Sequence, residues 1–267
     1  MRRPVRSLIT ALAATSFLLA GCGSGSGGGG ASAAPGTSAS APAPSGTITV
    51  FAAASLTESF KAIGADFEKK HPGTKVNFSF GASSTLATQI VQGAPADVFA
   101  SAAPKNMQQV VDAHDAADPK TFAKNMLEVA VPASNPANIT QLSDLAKPGV
   151  KVALCTSAVP CGAGAKTIFE KAKLTVKPAT LEADVKAVLT KVTMGEVDAG
   201  VVWATDVLAA GAKVKGIPIP ADLAYSSNYP IAALTTSKNA ETAKAFVDYV
   251  LSVDGATALT HAGFEKP

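Results

Sequence analysis

The segment ITVFAAASLT at residues 48–57 carries the main fold signal, and VNFSFGASSTL at residues 76–86 repeats its pattern. In each stretch an apolar strand pattern leads into small, hydroxyl-bearing residues and then into a helical pattern. The start of a helix has unpaired backbone N–H groups and the positive end of the helix dipole, and small residues let a ligand approach that backbone. The two turns, which contain Ser55 and Ser83, therefore predict a site for a small oxyanion.

The rest of the chain alternates strand and helix patterns. Apolar stripes with helical spacing begin at Leu56, Val185 and Ala243. A further helix is predicted from about residue 165 to 173, after a glycine-rich turn. Strand candidates lie between the helices, at residues 75–80, 97–101, 127–132, 150–154, 199–203 and 231–235. The alternation predicts an α/β fold with mixed, mainly parallel sheets flanked by helices, in which ligands bind at the carboxyl ends of strands.

The N-terminus has the pattern of a secretory signal. Three arginines precede an apolar run that is too short to span a membrane, and the run ends in Leu-Ala-Gly-Cys at residues 19–22. This ending resembles a bacterial lipoprotein box, so we predict a lipoprotein signal peptide at residues 1–22 with Cys22 as the lipid-bearing residue. An ordinary cleaved signal with a chance cysteine is the alternative. Residues 23–45 contain only Gly, Ser, Ala, Pro and Thr, which predicts a flexible tether. We expect an extracytoplasmic protein anchored to the cell membrane.

The charge of the exported chain excludes some classes of partner. Arg2, Arg3 and Arg6 are three of the 23 basic residues, and without them 20 lysines face 20 acidic residues. A body without arginine and without net charge is not expected to bind nucleic acid. Planar carboxylate ligands usually meet a bidentate arginine. An anion site in this chain must therefore rely mainly on neutral N–H and O–H groups.

Five motifs along the body resemble the periplasmic molybdate-binding proteins, the substrate receptors of ATP-driven molybdate importers. They are FAAASLTESF at 51–60, SSTLATQIVQGAPADVFASA at 83–102, VPCGAGA at 159–165, GEVDAGVVWATD at 195–206 and YPIAAL at 229–234. The resemblance implies a two-lobe periplasmic-binding-protein fold of type II with the ligand cleft between the lobes. We expect lobe 1 at residues 46–128 and 231–267 and lobe 2 at residues 129–230.

The same resemblance implies the ligand, the partners and the site residues. The ligand would be molybdate, with tungstate as a second anion, and the partners would be the permease subunits of an ABC transporter. Position by position, the family points to Ser55 and Ser83 in lobe 1 and to the backbone N–H groups of Cys161 and Val185 in lobe 2. The family often has a tyrosine where this chain has Trp203, so the indole contacts the anion, shields it or only packs. We expect a monomer that uses no cofactor and no metal ion ligated by side chains.

Cys155 and Cys161 are close in sequence in a chain that is predicted to be exported. Nearby cysteines outside the cytoplasm usually pair, so we predict a disulfide that holds the third anion-binding turn. A metal site is the weaker alternative, because two thiols alone do not complete tetrahedral ligation.

Two other functions remain open at this point. A receptor for another tetrahedral oxyanion such as sulfate would use the same donors, and only the pocket dimensions distinguish anions of equal charge and symmetry. Hydrogen phosphate is disfavoured because it also needs a hydrogen-bond acceptor. A serine-dependent hydrolase would need a base beside Ser55 or Ser83. The histidines are His71, His114 and His261, all expected at surface or capping positions, so we predict that the protein is not an enzyme.

Overall fold

The computed structural model describes residues 43–267. The predicted signal peptide, Cys22 and the predicted tether up to residue 42 lie outside the described residues. The last tether residue, Ser45, is held to the body, because its backbone N–H donates to the hydroxyl of Thr242 at 3.1 Å and that hydroxyl donates to the Ser45 carbonyl at 2.7 Å. No helix between residues 43 and 267 combines the length and the apolar composition that a membrane span needs.

The described residues alternate strands and helices along almost their whole length. The strands are β1 Gly46–Ala53, β2 Thr74–Gly81, β3 Val98–Ala100, β4 Lys120–Pro132, β5 Val152–Cys155, β6 Thr180–Glu182, β7 Ala199–Trp203, β8 Val214–Ile217 and β9 Ser226–Ala233. The helices are α1 Thr57–Lys70, α2 Ser83–Val91, α3 Pro104–Asp112, α4 Pro160–Ala172, α5 Val185–Thr193, α6 Ala204–Ala210, α7 Ala240–Leu251 and α8 Val253–His261. The predicted α/β class is confirmed.

Two groups of parallel strands flank an antiparallel centre. The hydrogen-bonded order is β2-β1-β3-β9-β4-β7-β5-β6, and β8 also pairs with β4. Strands β1, β2 and β3 are parallel, and so are β5, β6 and β7. The long strands β4 and β9 run antiparallel to each other and connect the two groups. Because the strands of one parallel group end at the same edge, each group brings its strand-to-helix turns together there.

Strand β4 changes partner halfway along its length. Residues Lys120 to Met126 pair with β9, whereas Leu127 to Ala130 pair with β7. The change of partner lies close to the predicted crossing between lobes. The bounds of lobe 1 at residues 46–128 and 231–267, and of lobe 2 at residues 129–230, stay a prediction.

The predicted apolar stripe of α1 forms the core contact that fixes the first turn. Phe60 and Phe67 are fully buried, and their rings lie 6.2 and 5.3 Å from the ring of Phe246 on α7. Leu56, which begins the stripe, is also fully buried in a 3₁₀ turn at Ala54–Leu56. The turn that contains Ser55 is thus held between strand β1 and a packed aromatic cluster.

Three predicted bounds were wrong. Helix α4 begins at Pro160 and not near residue 165, because Gly162 and Gly164 pack tightly and do not form a loose turn. A Cβ atom on Gly162 would overlap the Thr156 carbonyl oxygen, and one on Gly164 would lie 2.5 Å from the Leu127 side chain. Strand β4 begins at Lys120 and not at residue 127, and β9 covers Ser226–Ala233 where residues 231–235 were expected. In both strands the missed residues are largely polar, so no apolar run marks them.

Candidate functional site

A small cavity lies where the carboxyl ends of both parallel groups meet. Its volume, measured as the space open to the centre of a water molecule, is about 20 Å³. Its lining consists almost entirely of turns that follow strands and of first turns of helices: Ala53, Ala54, Ser55, Gly81, Ala82, Ser83, Ala102, Val159, Pro160, Cys161, Asp184, Val185 and Trp203. All five residues proposed from the sequence, Ser55, Ser83, Cys161, Val185 and Trp203, are in this lining.

Ser83 is the first residue of α2 and is only 1% exposed. Its hydroxyl does not cap the helix, which excludes the ordinary structural role of a serine at a helix start. The hydroxyl oxygen instead accepts a hydrogen bond from the backbone N–H of Ala102 at 2.9 Å. Because an N–H group cannot accept, the hydroxyl proton of Ser83 stays available to a guest in the cavity.

Ser55 lies in the 3₁₀ turn between β1 and α1 and is 5% exposed. Its hydroxyl caps neither this turn nor α1. The Ser55 Oγ lies 3.0 Å from the phenolic oxygen of Tyr229, which is fully buried. Burial raises the pKa of the Tyr229 phenol above its usual range, so the phenol keeps its proton.

The second parallel group contributes the starts of two helices. Cys161 is the second residue of α4, and Val185 is the first residue of α5. The first N–H groups of a helix have no partner inside it, so both helix starts present donors to the cavity. The structure joins Cys155 at the end of β5 to Cys161 in a disulfide with a Cα–Cα distance of 5.8 Å. The disulfide ties the start of α4 to the strand that precedes it.

Trp203 ends β7 and is 1% exposed. Its ring centroid lies 5.8 Å from that of Tyr229 in an edge-to-face arrangement and 6.5 Å from that of Tyr225. Within residues 43–267 the hydrogen bonds include none from the indole N–H of Trp203, although the residue lines the cavity. The ring therefore packs, and its single donor remains available.

Among the described residues, no lysine or other cationic side chain lines the cavity. Asp184 does line it, and its carboxylate accepts from the Ala187 N–H at the start of α5. Outside the lining, the Lys186 ammonium lies 2.9 Å from the buried Asp206 carboxylate and 2.8 Å from Glu58 on α1. Burial raises the pKa of Asp206 to about 6, against the opposing effect of Lys186. A guest anion would therefore meet N–H and O–H dipoles and not an ammonium group.

Sequence reasoning missed the side chains behind the cavity wall. Asn125 donates through Nδ2 to the Thr205 hydroxyl at 2.8 Å and to the Tyr229 phenol at 3.4 Å. Tyr229, Thr205 and Asp206 were inside motifs quoted for the family resemblance, but no role had been assigned to them. Nothing in the sequence indicates a role for Asn125, because a single asparagine in a polar segment is common.

Within residues 43–267 no histidine forms a hydrogen bond with Ser55 or Ser83, although His261 lines a second cavity together with Ser55. His71 follows the last residue of α1, His114 is exposed in a turn with a φ of 62°, and His261 is exposed at the end of α8. The partners of Ser55 and Ser83 are a phenol and a backbone N–H group.

Comparison with known proteins identifies the family. Residues 48–265 match the model for bacterial extracellular solute-binding proteins. The chain is 40% identical to the molybdate-binding protein ModA of Mycobacterium tuberculosis over 222 residues, which are 83% of this chain and 85% of that protein. It is 34% identical to the putative ABC transporter substrate-binding lipoprotein YvgL of Bacillus subtilis over 225 residues, with coverages of 82% and 86%.

A solved structure supports the fold. The periplasmic molybdate-binding protein of Azotobacter vinelandii superposes with a TM-score of 0.73 at 22% identity, covering 82% of this chain and 99% of that chain. The predicted type II periplasmic-binding-protein fold, with two lobes and a cleft between them, is confirmed. The chain therefore belongs to the family of bacterial extracellular solute-binding proteins and, within it, is a relative of the molybdate-binding proteins.

Proposed function

We propose that the protein binds molybdate outside the cytoplasm and delivers it to an ABC transporter for import, with tungstate as a second ligand. The observation that most supports this function is the convergence of neutral donors on one cavity. The Ser55 and Ser83 hydroxyls come from the first parallel group, and the N–H groups of Cys161 and Val185 come from the second. Trp203 at the end of β7 also lines the cavity, and we propose its indole N–H as a fifth donor.

The binding mechanism follows from the cost of removing a dianion from water. Burying an unpaired charge is very costly unless charge-assisted hydrogen bonds replace its hydration shell. Helix starts and hydroxyls supply such bonds without a counter-charge, and the described cavity lining contains no lysine. The Asp184 carboxylate in the lining caps α5 by accepting from the Ala187 N–H, and the other polar side chains of the lining are donors. Donors favour a fully ionised oxyanion, which only accepts hydrogen bonds, over hydrogen phosphate, which must also donate one.

The size of the cavity agrees with one tetrahedral oxyanion. A sphere with the volume of about 20 Å³ has a radius of about 1.7 Å, on the order of one bond between a central atom and its oxygens. Molybdate and tungstate have the same charge, symmetry and nearly the same size, so the proposal includes both.

Closure of the cleft would couple binding to transport. Donors from both parallel groups contact the same anion, so the anion stabilises the closed arrangement of the lobes. The Glu58–Lys186 ion pair at 2.8 Å also joins α1, which follows a strand of the first parallel group, to α5 in the second. The permease would then distinguish the loaded protein from the free protein by its shape.

We also propose that the protein is a monomer attached to the membrane through Cys22. The support is the lipoprotein box at residues 19–22, the tether that follows it, and the description of the Bacillus subtilis relative as a lipoprotein. Labelling with a radioactive fatty acid would test it: the full-length protein is expected to take up label, and a Cys22→Ala variant is not.

Two alternatives are weaker. A sulfate receptor would use the same donors and differs only in the size of its guest. A hydrolase would need a base on Ser55 or Ser83, whereas the partners of these hydroxyls are Tyr229 and the Ala102 N–H. A solute-binding role without catalysis agrees better with these contacts.

Calorimetric titration of the full-length protein with molybdate, tungstate, sulfate and phosphate tests the proposed function. We expect tight binding of the first two anions and little binding of the others. Submicromolar binding of sulfate would contradict the assignment to molybdate. Turnover of an ester that Ser55→Ala abolishes would instead favour an enzyme.

A further inference from the structure

We propose that Tyr229 and Asn125 are positioning residues that fix the direction of the Ser55 hydroxyl, so that Ser55 donates to the anion and does not accept from it. The inference rests on the proposed function and adds a determinant of specificity to it. Neither side chain lines the cavity. Both act through a chain of hydrogen bonds that ends at Ser55.

The direction of the chain is set at Asn125, which is 1% exposed. The backbone N–H of Met126 donates to the Asn125 Oδ1 at 3.0 Å, which fixes the carbonyl end of the amide. The amide nitrogen therefore faces the other way, where it donates to the Thr205 hydroxyl at 2.8 Å and to the Tyr229 phenol at 3.4 Å. An amide nitrogen only donates, so Tyr229 must accept from it.

The next link is the phenol of Tyr229, which is fully buried. A phenol has one proton, and that proton cannot be directed at the donating amide of Asn125. The remaining partner within hydrogen-bond distance is the Ser55 Oγ at 3.0 Å, so the phenol donates to it. Burial also raises the pKa of this phenol, which keeps the donor protonated.

The last link leaves the Ser55 proton for the cavity. With Tyr229 donating to its oxygen, Ser55 has no other acceptor among the described residues. Ser83 reaches the same state by a different route, because the backbone N–H of Ala102 occupies its oxygen at 2.9 Å. Both hydroxyls in the lining are thus held as donors by a protein donor behind them. A ligand that bears a proton finds no preferred acceptor on either.

A double-mutant cycle on the full-length protein tests this inference with molybdate as the probe. Asn125→Asp keeps the shape of the side chain but replaces the donating nitrogen with an accepting oxygen. The buried carboxylate then accepts from Met126, Thr205 and Tyr229, so Ser55 must donate to Tyr229 and turn its lone pair toward the anion. The added charge weakens binding by itself, and the cycle removes that effect because both of its members share it.

The expected readout is the cost of Ser55→Ala in different backgrounds. In the unchanged protein it should weaken molybdate binding roughly 10-fold or more, whereas in the Asn125→Asp background the cost should be under about 2-fold. Tyr229→Phe should also reduce this cost and lower the affinity for molybdate relative to hydrogen phosphate. Tyr225→Phe is the matched control, because it removes a phenol beside Trp203 that makes no hydrogen bond to either serine. Thermal unfolding identifies any variant that fails to fold.

The outcomes separate the two proposals. If Ser55→Ala costs the same in all backgrounds while the unchanged protein binds molybdate, the positioning role is wrong and the proposed function stands. If the unchanged protein binds sulfate and not molybdate, the same cycle run with sulfate tests the positioning role alone. If it binds neither anion, both proposals fail.

Discussion

Ser83→Ala is the substitution whose effect the structure defines most closely. The variant removes two interactions at once: the proposed donation from the hydroxyl to the anion, and the observed bond from the Ala102 N–H to the hydroxyl oxygen at 2.9 Å. The first exists only when the anion is bound. The second joins α2 to the turn after β3 and belongs to the first parallel group alone, so it is present with and without ligand.

The two losses therefore appear in different measurements. A hydrogen bond to a charged group is worth about 1.5–3 kcal/mol, so the dissociation constant for molybdate should rise roughly 10- to 150-fold. The unpaired N–H of Ala102 is buried in both states, so it leaves the affinity unchanged but lowers the free energy of unfolding by about 1–3 kcal/mol. Calorimetric titration measures the first effect, and urea unfolding of the ligand-free protein measures the second.

Ser84→Ala is the matched control for this prediction. Ser84 follows Ser83 in the first turn of α2, but it does not line the cavity and its hydroxyl forms no hydrogen bond among the described residues. We expect less than a 2-fold change in affinity and less than about 0.5 kcal/mol in stability. An affinity loss in Ser84→Ala equal to that in Ser83→Ala would contradict the proposed role of the Ser83 hydroxyl, and so would a Ser83→Ala variant that binds molybdate as well as the unchanged protein.

Three further predictions concern the surroundings of the cavity. Glu58→Gln removes the half-exposed ion pair with Lys186, so molybdate release should accelerate by about 1.5- to 5-fold, as measured by stopped-flow fluorescence of the single tryptophan; an unchanged rate would show that the pair does not hold the lobes. Asp206→Asn should remove a pH dependence of the free energy of unfolding. The pKa of Asp206 is about 6 in the folded state against an ordinary value of 3.8, so its contribution to stability is complete below about pH 4 and is lost as the pH rises through 6. Urea unfolding at several pH values would contradict this if the free energy of unfolding fell equally with pH in the unchanged protein and in the variant. Gly162→Ala places a methyl group against the Thr156 carbonyl, so it should lower the melting temperature and weaken molybdate binding, whereas Ala163→Gly on the next position should leave binding unchanged; equal binding by Gly162→Ala and the unchanged protein would contradict the tight turn.

The sequence contains enough local information to predict the turns of the site. Ser55 and Ser83 follow apolar strand patterns and precede helical stripes, and such neighbouring patterns decide where a strand ends and a helix starts. The start of α4 was mispredicted because glycine is ambiguous: Gly162 suggests a loose turn, yet it is needed for close packing inside a helix. That packing partner, Thr156, is defined only by the folded chain.

The supporting network could not be predicted because it joins distant parts of the chain. Ser55 and Tyr229 are 174 positions apart, and Asn125 and Tyr229 are 104 positions apart. No spacing rule connects such residues, and each is unremarkable in its own segment. The same holds for Trp203, whose packing against Tyr229 and Tyr225 depends on how β7 and β9 lie beside β4.

A crystal structure of the protein with molybdate would show whether neutral donors from both parallel groups hold the anion. We expect one anion in the cavity, with its oxygens about 2.7–3.1 Å from the Ser55 and Ser83 hydroxyls and from the N–H groups of Cys161 and Val185. An anion bound elsewhere, or paired with the Lys186 ammonium while both hydroxyls point away, would contradict it.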